Sequence, residues 1–499
     1  MDLQAFILCG NGRALTPFTH TRGETGLVKA LLPVANRHMI EYVLDWCEQG
    51  GFGEIGIVAS TEDLEEIQEA LRSYMEIRKR QYELLAQHGG TGVHGIAPCQ
   101  PIPIRFVAAR HDTTGAILQQ ELLPRIKGDF VLLPCDFVTE VPPQIFIDQF
   151  RNRDPDNLAM AVKYRNNLDS IDKKQLDVSY TVYSENNDSV KQPVLLDSYS
   201  KEDVDKSKYL QLRSHLLWRY PNPSVSKKLL DASIYFCSYE LTELLAPLGL
   251  TTARSETESD NDDEPIISIH KRQSIQPIRF RVKNRLVKDP INCDKSLYKL
   301  FRDLARRSWQ HSSSRETIGV FILPSLGSFI RSNVLSAYME ANRYMLRVKS
   351  TLFAAQAQPS LGNAIGGDSV VGANSTILER TSIKLSVLGK NCQIGKRCRI
   401  VGSVILDNVQ IEDECVLENV IVGNFAKVGK KCKLTNSYIE GSYIVNPKTI
   451  VKGETLTHIY LEESDESAGS LETSEEEETT DYSEGYDDDE FEDDGLFER

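Results

Sequence analysis

Hydrophobic positions recur along this chain with two different periods. Up to about residue 165, short apolar runs alternate with helical patterns. Residues 4–9 (QAFILC), 54–59 (EIGIVA), 104–108 (IRFVA), 130–133 (FVLL) and 158–162 (LAMAV) read as buried strands. Residues 39–47 place Ile40, Val43, Leu44 and Cys47 at i, i+3, i+4 and i+7, which predicts a helix with one apolar stripe. Such alternation implies βαβ units and a mostly parallel sheet covered by helices on both faces. Ligands of such sheets sit at the carboxyl ends of the strands, so the loops after Cys9 and Leu133 are the places to look. From 166 to 290 the pattern loosens. The stretch 251–264 (TTARSETESDNDDE) is polar and acidic and reads as a disordered loop. Residues 230–237 (LDASIYFC) read as a further strand of the same sheet. Residues 294–309 form an amphipathic helix, with Leu297, Leu300, Phe301, Leu304 and Ala305 on one face and arginines on the other. A second helix is expected over 333–343.

Beyond about 365 the period becomes six. VGANST (371–376), IGKRCR (394–399) and VGKKCK (428–433) share an aliphatic residue, then glycine, then four mostly polar positions. Aliphatic residues recur at Val371, Ile377 and Ile383, at Leu388, Ile394 and Ile400, at Ile405, Ile411 and Leu417, and at Val422, Val428 and Leu434, with the phase reset between groups. This is the hexapeptide signature of a left-handed parallel β-helix, in which six residues make one flat face and three faces close a turn. Glycine after the aliphatic residue is expected to supply backbone conformations that a side chain opposes.

Charge separates the chain further. The 499 residues carry a formal net charge of −15. Residues 462–499 hold 19 acidic residues and one basic, a net of −18, which leaves +3 for residues 1–461. The tail is read as disordered, with Ser464, Ser474 and Ser483 set among acids. The organisation expected is 1–325 for the sheet domain with its acidic loop near 251–265, 326–364 for a helical connector, 365–461 for the β-helix and 462–499 for the tail. Ten cysteines show no CxxC pair and no zinc-ligand spacing with histidine, so they are read as small buried hydrophobes in a reducing, cytosolic setting. No run reaches the length of a membrane helix, and the N-terminus does not read as a signal peptide.

The candidate chemistry lies in the sheet domain. ILCGNGRAL (7–15) joins a strand to a glycine-bearing turn able to bring N–H groups against phosphate. LVKALLPV (27–34) supplies Lys29, and LLPCDF (132–137) ends a strand in Asp136. The positions singled out are Gly10, Gly12, Arg13, Lys29 and Asp136. Plain structural roles compete for each: a tight turn for the glycines, an ion pair for Lys29, a cap or turn for Asp136. The set resembles the nucleotidyltransferase domain of the sugar-nucleotide pyrophosphorylases, several of which carry a hexapeptide β-helix behind that domain. The resemblance implies an α/β nucleotidyltransferase-like, Rossmann-like fold. The departures imply a degenerate site. That family has an arginine directly before the leucine of the loop, where Ala14 stands here with Arg13 one position early. It has Pro-Lys where this chain has Val28-Lys29. Many members place a second metal-binding aspartate near the position of Cys237-Ser238. No catalytic residue, metal or cofactor is therefore expected.

A narrower resemblance runs through KALLPVANRHMIEYVLDWCEQ (29–49), ELLPRIKGDFVLLPCDFVTEVPPQ (121–144), YLQLRSHLLWRYPNPSVS (209–226), DPINCDKSLYKLFRDLARRSWQHS (289–312) and EDDGLFER (492–499). These segments are similar to the gamma-type subunits of eukaryotic translation initiation factor 2B, most of all the fungal ones. That resemblance implies a non-catalytic subunit of the complex that exchanges GDP for GTP on initiation factor 2. Its implied partners are the epsilon subunit, which carries the exchange activity, the alpha, beta and delta regulatory subunits, and initiation factor 2 as the complex's substrate. Two other classes compete: an active sugar-nucleotide pyrophosphorylase, and an RNA- or tRNA-binding protein acting through 271–307. That stretch holds 12 basic against three acidic residues, with Phe280, Tyr298, Phe301 and Trp309 interleaved or adjacent. The aromatics follow the apolar stripe, which argues for core positions and against direct nucleic-acid binding.

Overall fold

The structure, a computed structural model, describes residues 3–19, 26–87, 101–168, 171, 175–176, 178–184, 192–210, 212–246, 291–310, 316–325, 327–353 and 364–458. The acidic loop near 251–265, the basic residues 271–290 and the tail 462–499, with its serines, lie outside the described residues. Ten strands make one mixed sheet: β1 (Gln4–Leu8), β2 (Glu54–Ser60), β3 (Ile104–Ala109), β4 (Phe130–Pro134), β5 (Asn157–Arg165), β6 (Ser179–Ser184), β7 (Val194–Ser200), β8 (Pro223–Ser226), β9 (Leu229–Cys237) and β10 (Thr317–Ile322). Their order is β8-β6-β7-β10-β5-β9-β4-β1-β2-β3. The strands around β1 are parallel: β4, β1, β2 and β3 run the same way. β9 runs against both β4 and β5. The helices that bear on the packing below include α1 (Met39–Gly50), α2 (Thr61–Gln87), α3 (Pro143–Arg151), α4 (Ser214–Arg219), α5 (Leu297–Gln310) and α6 (Leu335–Phe353).

Each face of the parallel part carries its own core. Ile40, Val43 and Leu44 of α1, Ile67 and Leu71 of α2 and Phe146 of α3 pack on Ile7, Ile57 and Leu133. On the opposite face, Leu297, Leu300, Phe301 and Leu304 of α5 pack on Phe6, Val58, Leu132 and Tyr235. Phe301 stacks on Tyr235 with ring centroids 4.1 Å apart. The helix expected over 294–309 starts at Leu297, because Asp294 and Lys295 are held in turns by Asn292 Oδ1 and the Cys293 carbonyl. Its aromatics serve the interior: Trp309 is buried and donates to the Leu196 carbonyl at 2.8 Å. Part of its basic face is paired within the fold, with Arg306 on the buried Asp197 at 2.8 Å and Arg302 on Asp303.

The six-residue repeat closes into a three-faced prism. Ile383, Ile400, Leu417, Leu434 and Val451 stack in register on one face. Leu388, Ile405, Val422 and Ile439 stack on the second, and Ile394, Ile411, Val428 and Val445 on the third. Successive coils are offset by 17 residues, as in the Val420 to Ser403 hydrogen bond, so two faces take six residues and one takes five. That five-residue face is the phase reset seen in the sequence. The glycine expectation is corrected here. Gly389 and Gly423 do not have positive φ; a Cβ there would lie 2.6 Å and 2.4 Å from the backbone of the next coil. The left-handed backbone falls two residues later, on Asn391 and Phe425. Close approach between coils, rather than chain reversal, selects these glycines. Cys398, Cys415 and Cys432 stack at one corner, each donating to a carbonyl of the following coil at 3.1 Å. All nine described cysteines are buried and free.

The helix expected over 333–343 continues to Phe353, because Tyr344 and Leu346 prolong its buried stripe. Its apolar side chains meet both neighbours: Tyr338, Met339 and Ala341 join Leu15, Leu32 and Val34 of the sheet domain with Val387, Val404 and Ile421, the outward-facing residues of one prism face. Polar contacts fix this packing. Arg343 donates to the Gly402 carbonyl at 3.0 Å and to Asn419 Oδ1 at 2.7 Å, and Asn36 donates to the Leu388 carbonyl at 2.6 Å. Among the described residues, no helix is long and apolar enough to cross a membrane.

Candidate functional site

Strands β1 and β4 lie side by side and end together, so the glycine turn after Cys9 and the Cys135-Asp136 step emerge at one edge. Gly12 sits at φ +67°, and a Cβ there would press to 3.0 Å on both Lys29 Cβ and Thr19 Cγ2. The Thr19 hydroxyl closes the turn by donating to the Gly12 carbonyl at 2.7 Å. Gly10 faces open space. Gly12→Ala is therefore expected to lose about 1–2 kcal/mol through left-handed strain and crowding, whereas Gly10→Ala should stay within about 0.5 kcal/mol. Urea unfolding of the two variants checks the contrast.

Asp136 has no solvent exposure, and both its oxygens are taken. Lys29 Nζ lies 2.5 Å from Oδ2, and Arg331 Nε donates to Oδ1 at 3.2 Å. Burial alone would push this carboxyl up; Arg331 and Lys29 outweigh it and hold the pKa at about 2. Arg331 arrives on a short strand, Phe329–Arg331, antiparallel to Phe137–Thr139, which sets Arg331 opposite Phe137 beside the carboxylate. It also reaches Ser233 Oγ at 2.7 Å and the Asp231 carbonyl at 3.3 Å. The Asp231 side chain accepts from Lys163 at 3.1 Å and from Tyr235 at 2.8 Å, and these two cations, Lys163 and Arg331, outweigh its burial and lower its pKa. Alternating charges thus run Lys29–Asp136–Arg331–Asp231–Lys163.

The five positions singled out from sequence are brought to one region but do not converge on one point. Lys29 meets Asp136, and Gly12 packs on the Lys29 stem. Arg13 is exposed and lines, with Lys29, a cavity of about 750 Å³ whose other walls include Glu62 and Asp63 of α2 and Glu440 and His458 of the prism. Glu66 joins the same wall, its pKa raised by burial and by Asp63. Acidic walls repel a polyphosphate. Cys237-Ser238 lies at the wrong end of the sheet: β9 is antiparallel to β4, so Cys237 pairs with Phe130 at the start of β4, and Asp231 is the β9 carboxylate near Asp136. Sequence reasoning missed Arg331, Asp231 and Lys163. Their only local signal is charge inside apolar strands, as in LAMAVKYR (158–165) and LLDASIYFC (229–237). Among the described residues, no group of three or more His, Cys, Asp or Glu is placed to hold a metal ion.

Residues 353–452 match the family described as EIF2B subunit epsilon LbH domain. The translation initiation factor eIF2B subunit gamma of Schizosaccharomyces pombe is 27% identical over 388 residues, which span 77% of this chain and 74% of the relative. Both comparisons bear out the resemblance to the eIF2B subunits read from the sequence. The prism matches a domain named for epsilon while the longer alignment is to gamma, so the repeat segment alone does not separate the two subunit types.

Proposed function

From that similarity to eIF2B subunits, we propose that this chain is a non-catalytic scaffold of the guanine-nucleotide exchange factor for eukaryotic initiation factor 2. In this reading it pairs with an epsilon-type subunit, joins the alpha, beta and delta subunits, and promotes GDP-to-GTP exchange in the cytosol. Residues 1–325 act as the nucleotidyltransferase-like part, 326–364 as the connector and 365–461 as the β-helix.

The observation that carries the non-catalytic part is the state of Asp136. Magnesium-assisted phosphoryl chemistry needs carboxylate oxygens free to bind the ion. Here an ammonium and a guanidinium occupy both oxygens in a buried setting, and Glu62, Asp63 and Glu66 face the space a nucleotide would fill. The ancestral fold is retained as a body on which partners assemble. Gly10, Gly12, Arg13, Lys29 and Asp136 are, in this reading, vestiges of a nucleotide site.

The test is a reconstitution in which GDP release from initiation factor 2 is followed with this chain alone, with epsilon alone and with both. Release near background from this chain alone, and several-fold enhancement of epsilon, are expected. Release by this chain alone at the rate of the pair would overturn the assignment. Magnesium-dependent pyrophosphate release from nucleoside triphosphate and sugar phosphates is expected to stay at background.

A further inference from the structure

Three tryptophans divide sharply by burial. Trp46 and Trp309 are 4% and 3% exposed, whereas Trp218 is 79% exposed. Trp218 sits on α4, whose Leu216 faces inward with no exposure and packs with Val182, Leu196 and Trp309. That anchor fixes the helix on the fold, so Trp218 is held outward by the backbone, with the His215 ring 5.5 Å away. Leu217 beside it is 40% exposed. After a short turn comes β8, which among the described residues is the edge of the ten-stranded sheet, hydrogen-bonded to β6 alone and showing Val225 to solvent. An unpaired edge beside an exposed aromatic is a costly surface to leave bare.

The charge along this segment is one-sided. From 208 to 228 the chain carries Lys208, Arg213, Arg219, Lys227 and Lys228 and no acidic residue. Lys208, Arg213, Lys227 and Lys228 are exposed. We propose that α4 and β8 form a docking surface for a protein partner that offers an apolar pocket to Trp218 and an acidic rim to these cations. A buried tryptophan ringed by polar contacts is the pattern of an interface hot spot, and opposite charge at the rim speeds encounter. Leu217 and Val225 favour protein over nucleic acid, since aliphatic side chains offer bases no stacking face.

The assignment rests on the exchange-complex reading, because that reading supplies the candidate partners. Red-edge fluorescence of the full chain reports on Trp218, the other two tryptophans being buried. Acrylamide quenching would be measured with the purified epsilon, alpha, beta and delta subunits, with initiation factor 2, and with a single-stranded RNA. One protein should reduce the quenching constant at least threefold. Trp218→Ala should weaken that partner about 30-fold or more. The double variant Lys227→Glu/Lys228→Glu should slow association about tenfold at low salt and little at high salt. Both sites are exposed, and circular dichroism checks that the variants fold. Unchanged quenching in a complex that does form, or unchanged affinity of Trp218→Ala, would overturn the docking surface and leave the exchange-complex reading intact. Protection by RNA alone would overturn it in favour of nucleic acid. Binding of no subunit by the unmodified chain would sink the exchange-complex reading, and this assignment with it.

Discussion

Asp136→Ala is expected to destabilise the protein by about 3–5 kcal/mol at pH 7, because it leaves Lys29 and Arg331 facing each other with no carboxylate between them. Urea unfolding measures the loss. Adding Arg331→Met should recover part of it, giving a coupling energy of about 1–3 kcal/mol in a double-mutant cycle. Two independent losses that simply add would show that the pair does not interact. The same ion pairs set an acid limb. The Asp136 pKa is depressed from 3.8 to about 2, so its contribution is fully present above pH 4 and is lost as the pH falls from 4 towards 2. The depression corresponds to about 2 kcal/mol. The Asp231 pKa is also lowered, so its contribution falls in the same direction. Asp136→Asn should flatten the pH 4 to 2 limb relative to the parent; an unaltered slope would show that Asp136 contributes nothing to it.

Tyr338→Ala should cost a similar amount, about 3–5 kcal/mol, for a different reason. Tyr338 is 1% exposed, donates to the Pro33 carbonyl at 2.6 Å and lies in the cluster that joins sheet domain, α6 and prism. Its removal opens a cavity where the two repeats of structure meet. Tryptophan fluorescence, confined to the sheet domain, and far-UV circular dichroism, which includes the prism, should unfold together in the parent and separate in the variant. Tyr338→Phe removes only the hydroxyl and should cost about 1 kcal/mol, with the transitions still coincident. Loss of coincidence in Tyr338→Phe as well would place the coupling in the hydrogen bond rather than the packing.

Much of this architecture is written locally. Ile7, Ile57 and Leu133 lie in apolar runs that can only be satisfied between two covering layers, and the aliphatic steps at Ile394, Ile400 and Ile405 encode even the five-residue face of each coil. Such patterns are legible because every contact they need is a repeat of the same short-range rule. The site was legible only in part. The glycine turn and Asp136 follow strand ends, where an open parallel edge collects function, and Lys29 lies in the short turn Lys29–Leu31 that packs beside them. Arg331 lies 195 positions from Asp136 and reaches it through a two-strand pairing that no period announces.

The sequence by itself determined the two kinds of hydrophobic period, the split of charge between residues 1–461 and 462–499, and the placing of the glycine turn and Asp136 after strand ends. Only the tertiary structure decided what surrounds that carboxylate. Strand direction is a property of the whole sheet, and it is the reversal of β9 that brings Asp231, not Cys237, to the edge and lets Arg331 close the gap. Burial is decided the same way: Trp46 and Trp309 go inside and Trp218 stays out because of where the neighbouring elements end, and nothing in the residue itself distinguishes them.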